Sequence, residues 1–582
     1  MSMVNQVPAQ TSASTADPIL TEVIRHGLDG AADAMRVALR RMAFSPIIYE
    51  ISDFAAGLYD PQIRLLAQAR ALPAFVGTLS FTIESSVGRI GVENLEDGDV
   101  IFSTDGYEIG SHQQDATVIV PGFWRGELVG YAGVKAHHLD IGAKDPYCTD
   151  TVDIFQEGTI FPSIRLYRAG VLQEDLYRTV LANSRLPAAL EGDLKAQIAA
   201  AKLGLEGLYQ LLDRFGKEEL TRSVERMFDH GEAVVRQFFA DIPDGRYVAT
   251  TVMDNNGVTD DPVPVDVSID VRGSELTVDL TGSPPLQAGP INCPYATTAS
   301  AVRVAIMSLA GGAESANEGF FRPIGLRTTP GTMVHATSPA PIFMFGWAAM
   351  AVIDGIYAAL AKAIPERVPA ASGGDVCGVI FWGKNDDGSY WGDGGDHSVG
   401  QGASAAGDQR APLMHIGVSG VQSPSIEVME SRRPILAERF EFATDSAGRG
   451  EYRGGLGIDV HYRALSEFHI TIPWDRTLTP PSGLGGGGPA RPNRFLLRYP
   501  DGTEFEAGKA TALRVPVGSV LVLQTGGGGG WGDPAGRDPS SVHRDVVDGI
   551  VSESAARADY PHAFEPSSEA SSPRRTPPET AA

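Results

Sequence analysis

Apolar residues recur at helical spacing from Ile19 through Val23, Leu28, Met35 and Leu39 to Met42. This period predicts a first helix that ends near Ala43. Asp17-Pro18 gives it a start, an N-cap acid followed by proline in the first turn, and Ser45-Pro46 stops it. From 47 to 185 the pattern changes to short apolar or alternating runs, which predict mixed strand and loop. IIYEISDFAAGLYD reads as a strand closing on a turn at Asp60-Pro61, and VIFSTDG, ATVIVPGFW and ELVGYAGVKAH read as strands or strand pairs. The helical period returns over Leu190–Arg214 and Lys217–Phe239, with Glu191 and Asp193 near the first start to complement the helix dipole. Past Asp244-Gly245 it falls to two in TTVMD, VPVDVSIDV and ELTVDLTG, which predicts antiparallel sheet. Helices are expected over Pro290–Leu309 and Phe345–Ile364, and from about 375 glycine and short strands dominate.

These elements predict an α+β, multidomain protein: a mixed N-terminal domain over 17–185, a helical segment over 186–244, a mixed β/α domain over 245–375 and a glycine-rich, β-rich domain over 376–564. No fixed-period repeat is present. Residues 1–16 and 565–582 read as flexible tails; the second has the Pro, Ser and Glu content of disordered chain. The first is polar, with no basic start and no apolar run, so no targeting segment is expected. The most apolar stretch, Ala340–Ala363, is interrupted by Asp354. A buried helix fits it better than a membrane span, which needs about 20 apolar residues.

The net charge of −25 argues against nucleic acid and anionic membrane surfaces, both of which need a basic face. It fits a cytoplasmic protein. Cys148, Cys293 and Cys377 are widely spaced without a CxxC pair, so reduced, buried thiols are expected rather than a thiolate metal site.

Gly483–Gly488 and Gly527–Gly532 both satisfy G-x-G-x-x-G literally. Neither opens a helix, as a dinucleotide site requires, so no cofactor binding is assigned to them. No G-x-x-x-x-G-K-[ST] exists, so ATP, if used, is bound elsewhere.

The chemistry concentrates between Gly110 and Asp140. Two H-x-x-D elements, His112/Asp115 and His137/Asp140, recur 25 residues apart with His138 beside the second. Two antiparallel strands and a turn fill such a gap and bring its ends together. Paired imidazoles and carboxylates suit Zn, Mn or Fe in the divalent state. Asp140 or His138 is a candidate to orient a ligand from behind. Asp53 in EISDF is a weaker candidate carboxylate. His397 and His415 lack a second ligand at metal spacing and read as structural. Arg322 and Arg432-Arg433 read as salt-bridging before they read as anion-binding.

The opening segment from Asp17 to Asp60 resembles the start of hydantoinase B/oxoprolinase proteins. So do GSHQQDATVIVP, AHHLDIG, IFQEGTIFPSIRLYRAG, GPINCPYATTASAV, YRGGLGIDVHYR and TGGGGGWGDP, and the likeness runs from about 17 to 550. It implies an A-type partner subunit that binds ATP with Mg and phosphorylates the substrate, in a higher hetero-oligomer. It implies a divalent metal on this chain held by Asp53, His112, Asp115 and His137. The activity implied is opening of hydantoin, lactam or oxoproline rings, with carboxylation of an acetone- or acetophenone-type ketone as the alternative. The chain departs from the family at Ser103–Tyr107, before the first histidine, where Asp105 survives. That puts the substrate in question more than the metal. Asp140 or His138 is then the expected general base and Glu157 a further acid-base or orienting group. A non-catalytic scaffold subunit and a stand-alone amidase remain as other readings; no G-x-S-x-G elbow favours the latter.

Overall fold

The computed structural model describes residues 16–311, 316–409 and 412–565. The expected tails therefore lie outside it, apart from Ala16 and Glu565. Among the described residues no helix is long and apolar enough to cross a membrane.

The first helix runs Pro18–Met42, and Asp17 accepts the Ile19 amide at its start. Its buried stripe of Ile24, Leu28, Met35 and Leu39 packs on helix Pro187–Phe215. That helix and Lys217–Ala240 form the expected pair, broken at Gly216 with φ 79°. The pair has no core of its own; most of it shares one with the first helix and the first sheet, and the end of the second helix, from Val235, enters the core of the following domain. Asp193 does not serve the helix dipole as expected. It is buried, and its Oδ1 accepts the amides of Phe44 at 2.7 Å and Ser45 at 3.0 Å, pinning the chain after the first helix.

The first sheet contains β1 (Phe54–Tyr59), β2 (Leu65–Gln68), β3 (Val100–Ser103), β4 (Thr117–Trp124), β5 (Glu127–Ala136), β6 (Ile164–Arg168) and β7 (Val171–Leu172). Their order is β2-β1-β5-β4-β3-β6-β7, antiparallel throughout. Two expectations for this region fail. Pro46–Tyr49 is a short helix, and β1 begins only at Phe54, after Ser52 with φ 65°. Pro73–Ile90, taken as strand and loop, is a long helix. Its β-branched and aromatic residues favour strands, but packing against helix Tyr295–Ala310 overrides that preference. The Thr78 and Thr82 hydroxyls bond to carbonyls one turn back, which satisfies them inside a buried helix.

The second sheet contains β8 (Gly245–Met253), β9 (Val263–Arg272), β10 (Glu275–Asp279) and β11 (Ile324–Arg327), ordered β11-β10-β9-β8. It is antiparallel except for the β10–β11 pair. Helix Phe345–Leu360 lies on it, buried almost all round. Asp354 is tolerated there because it pairs with His415 at 3.1 Å and Arg476 at 2.5 Å.

The C-terminal half contains β12 (Val379–Lys384), β13 (Tyr390–Gly395), β14 (Ile435–Phe442), β15 (Ile458–Ala464), β16 (Phe468–Pro473), β17 (Arg494–Arg498), β18 (Glu504–Glu506), β19 (Lys509–Val515) and β20 (Val520–Gln524). They form two sheets over a common apolar core, ordered β13-β12-β16-β19 and β14-β15-β20-β17-β18. The glycine runs interleave here, backbone against backbone. A Cβ at Gly528 would collide with the Gln401 carbonyl, one at Gly454 with that of Gly528, and one at Gly530 with that of Arg449. Close packing of this kind is open to glycine alone. All three cysteines are buried and free.

Candidate metal centre

Strand register assembles the site. Phe54 pairs with Ala136 across β1–β5, and Thr117 pairs with Lys135 across β4–β5. One step past the ends of the three strands, His137 lies between Asp53 on one side and Asp115 on the other. Its amide donates to the Asp53 carbonyl at 3.1 Å. His112 joins from the turn before β4, where Gly110 adopts φ 78° and the Asp115 amide closes on the His112 carbonyl at 3.1 Å.

Three ligand-type atoms converge. His112 Nε2 lies 3.0 Å from His137 Nδ1 and 3.2 Å from Asp115 Oδ1; His137 Nδ1 lies 3.0 Å from that same oxygen. Asp53 Oδ2 stands 3.9 Å from His137 Nδ1. His112 Nδ1 donates to the Phe343 carbonyl at 2.9 Å, which leaves the Nε2 lone pair facing the cluster. Metal-ligating histidines are oriented in this way. Asp53 Oδ1 and Asp115 Oδ2 are buried with no hydrogen-bond partner. Burial would raise Asp115, but the charges and hydrogen bonds of His112 and His137 hold it well below the usual carboxylate range. Burial pushes Asp53 upward, with Asp115 and Asp396 adding to the effect and His137 opposing it. A buried set of acceptor atoms short of donors fits a divalent cation.

The other sequence candidates are not brought to this cluster. His138 projects to the opposite side of the chain from His137. Its Nε2 donates to Gln197 Oε1 at 3.0 Å, and burial lowers it to about 4. Asp140 is 2% exposed, and Arg185 engages both of its oxygens at 2.5 Å, by Nη1 and by the main-chain amide. Neither is placed to take a proton at the cluster. Glu157 acts from behind: its Oε1 accepts the amides of Ile342 and Phe343 at 2.8 and 2.9 Å and the Thr151 hydroxyl at 2.7 Å. It thereby fixes the carbonyl that orients His112.

Asp105 caps a single turn, accepting the Tyr107 amide at 3.2 Å. His397 bonds the Cys377 carbonyl and the Tyr462 hydroxyl. Arg322 faces Glu225, Asp229 and Glu232, and Arg433 pairs with Asp393. These four read as structural.

Two groups near the cluster escaped the sequence. Lys135 is fully buried below the His112 turn; its Nζ bonds Thr78 Oγ1 at 2.6 Å, Ser111 Oγ at 3.2 Å and the Ile109 carbonyl. Burial lowers it to about 7, with Asp115 opposing. Asp396, from the loop after β13, lines the same cavity as Asp53, His112 and His137. Burial, with the neighbouring charge of Asp375, raises it to about 7. Neither residue lies at metal spacing in the chain, so no motif marked them.

The cluster forms one end of a cavity of ≈ 100 Å³. Its walls are chiefly apolar, with Ile51, Phe75, Phe345, Met350, Val376 and Val421 among them. They come from the segments flanking the first sheet, the central helices and the C-terminal half. No Lys or Arg lines it.

A sequence model of hydantoinase B/oxoprolinase proteins matches residues 17–534. The beta subunit of caprolactamase from Pseudomonas jessenii is 31% identical, over 94% of this chain and 96% of its own length. The crystal structure of ATP-dependent caprolactamase from Pseudomonas jessenii superposes with a TM-score of 0.87 at 29% identity, covering 94% of this chain and 96% of that one. A nucleotide-free acetone carboxylase structure superposes with a TM-score of 0.85 at 20% identity, over 94% of this chain and 79% of the other. The latter is a likeness of fold.

Proposed function

This chain belongs to the hydantoinase B/oxoprolinase family, and on that premise we propose that it is the metal-dependent catalytic subunit of an ATP-dependent cyclic-amide hydrolase, acting on substrate phosphorylated by an A-type partner. The observation that carries this reading is the convergence of His112 Nε2, His137 Nδ1 and Asp115 Oδ1, with Asp53 beside them, on the wall of an apolar cavity. The caprolactamase likeness supports the substrate class and the partner.

Asp53, His112, Asp115 and His137 would hold the ion. A divalent metal held there supplies Lewis acidity toward a carbonyl-type oxygen and toward water. The apolar walls take the carbon ring and exclude bulk water, which protects an activated amide from unproductive hydrolysis. Proton transfer falls to Asp396 rather than to Asp140 or His138. It lines the cavity, and its poise near 7 suits a group that both takes and returns a proton at neutral pH. Glu157 and Lys135 are positioning residues that hold the turn and the carbonyl behind His112.

The test is an ATP-dependent screen of the chain with its A-type partner. It uses hydantoin, 5-oxoproline and caprolactam, and separately acetone or acetophenone with bicarbonate. Ring opening that disappears in His112→Ala, together with loss of bound metal by elemental analysis, is expected. Bicarbonate-dependent carboxylation instead would overturn the hydrolase assignment and keep the site. Activity unchanged by His112→Ala would remove the metal from the mechanism.

A further inference from the structure

Next to the apolar cavity lies a second one of ≈ 540 Å³ and different character; Gln68, Arg70, Pro73, Ser300, Arg303 and Met307 are in its walls. Three segments serve both cavities. The chain entering helix Pro73–Ile90 gives Leu72, Ala74 and Phe75 to the first and Arg70 and Pro73 to the second. Helix Tyr295–Ala310 gives Thr297 to one and Ser300 and Arg303 to the other. Ile416 lines the second, while Gly417 and Val418 line the first. The two cavities thus adjoin along the same three segments.

Arg303 is the independent sign of a ligand. Its guanidinium lies over the rings of Phe321, at 4.5 Å, and Phe81, at 5.4 Å. Its one hydrogen bond among the described residues is long, 3.4 Å to the Gly77 carbonyl. Among the described residues neither Arg303 nor Arg70 has a carboxylate at ion-pair distance, whereas Arg322 faces three. Burial lowers Arg303 from its usual value, with Glu318 only partly offsetting this. A half-buried cation with no acid in contact gains by taking up an anion. A planar guanidinium lying over aromatic rings keeps its N–H edges for an oxyanion, which it can hold by two parallel bonds.

We propose that Arg70 and Arg303 form an oxyanion site that holds the phosphoryl group of the activated substrate while the ring occupies the adjoining apolar cavity. The division matches the ligand: a phosphorylated cyclic amide has one apolar half and one dianionic half. The anion site stands on the arginines alone; its assignment to a phosphorylated amide rests on the preceding section. A carboxylate carried by the ring, as in 5-oxoproline, has the same chemistry and is the competing source.

Inorganic phosphate is the probe, titrated calorimetrically into the full chain, with wild type, Arg70→Gln, Arg303→Met and His112→Ala compared. Wild type and His112→Ala are expected to bind alike, and the two arginine variants at least tenfold more weakly. Arg70 is exposed, so Arg70→Gln carries the test if Arg303→Met does not fold. No binding by wild type, equal binding by Arg70→Gln, or loss in His112→Ala overturns the site. In the complex with the A-type partner, Arg70→Gln is expected to raise KM for a neutral lactam and for 5-oxoproline alike. An increase for 5-oxoproline alone overturns the phosphoryl assignment in favour of the ring carboxylate. If wild type opens no ring, the functional reading fails, while the phosphate titration still decides the anion site.

Discussion

His137 and His138 are covalent neighbours that do different work, because successive side chains of an extended segment project to opposite faces. His137 reaches Asp115 and the Asp53 side, while His138 is spent on Gln197. His137→Asn is therefore expected to abolish stoichiometric metal, read by elemental analysis. His138→Asn should keep the metal and lose about 1–3 kcal/mol of stability, read by urea denaturation, since it breaks a buried hydrogen bond. Glu157 sets a pH dependence. Burial outweighs its three hydrogen bonds and raises it from its ordinary 4.5 to about 8. Between those values the folded chain retains a proton that the unfolded chain has released. Stability from this group is thus greatest below pH 4.5, falls as pH rises and levels off above 8. Glu157→Gln keeps an acceptor for the Ile342 and Phe343 amides and cannot ionise, so its urea midpoints should lose that part of the slope. An unchanged slope would place the titration on another group.

At the scale of elements, Asp193 joins helix Pro187–Phe215 to the chain leaving the first helix. Asp193→Ala strands the buried Ser45 amide and the partly buried Phe44 amide and is expected to cost about 1–3 kcal/mol in urea denaturation, with bound metal unchanged. Much at this scale was legible. The helical periods around Leu28, Leu208 and Phe228 gave elements whose bounds shifted by only a few residues. The 25-residue gap between His112 and His137 was read as a strand pair, and β4 and β5 fill it. Helix Pro73–Ile90 was not legible, because its local preference points to strand and only packing makes it a helix. Asp396 and the Phe343 carbonyl were not legible either. Both reach the site from segments more than 200 residues beyond the histidines, and a main-chain carbonyl has no sequence signature.

For the whole molecule, the cavity sits where the segments flanking the N-terminal sheet, the central helices and the C-terminal half meet, and its walls draw on all three. An ion bound there ties these parts together. Metal at a hundred times its Kd is expected to add about 2.7 kcal/mol to unfolding by mass action. Calorimetric scans with metal and with chelator check this, and a chelator-insensitive transition would show that the site contributes nothing to folding. The interleaved glycines of the C-terminal half, none of them a ligand, bring a different consequence. Gly454, Gly528 and Gly530 each meet a main-chain carbonyl where a methyl group would go, and a peptide backbone cannot be swapped for something smaller. In a library of single substitutions these loops should form a cold spot as strict as the four proposed ligands. Invariance there would record crowding between chains, not chemistry, and a catalytic map drawn from tolerance alone would mark the wrong place.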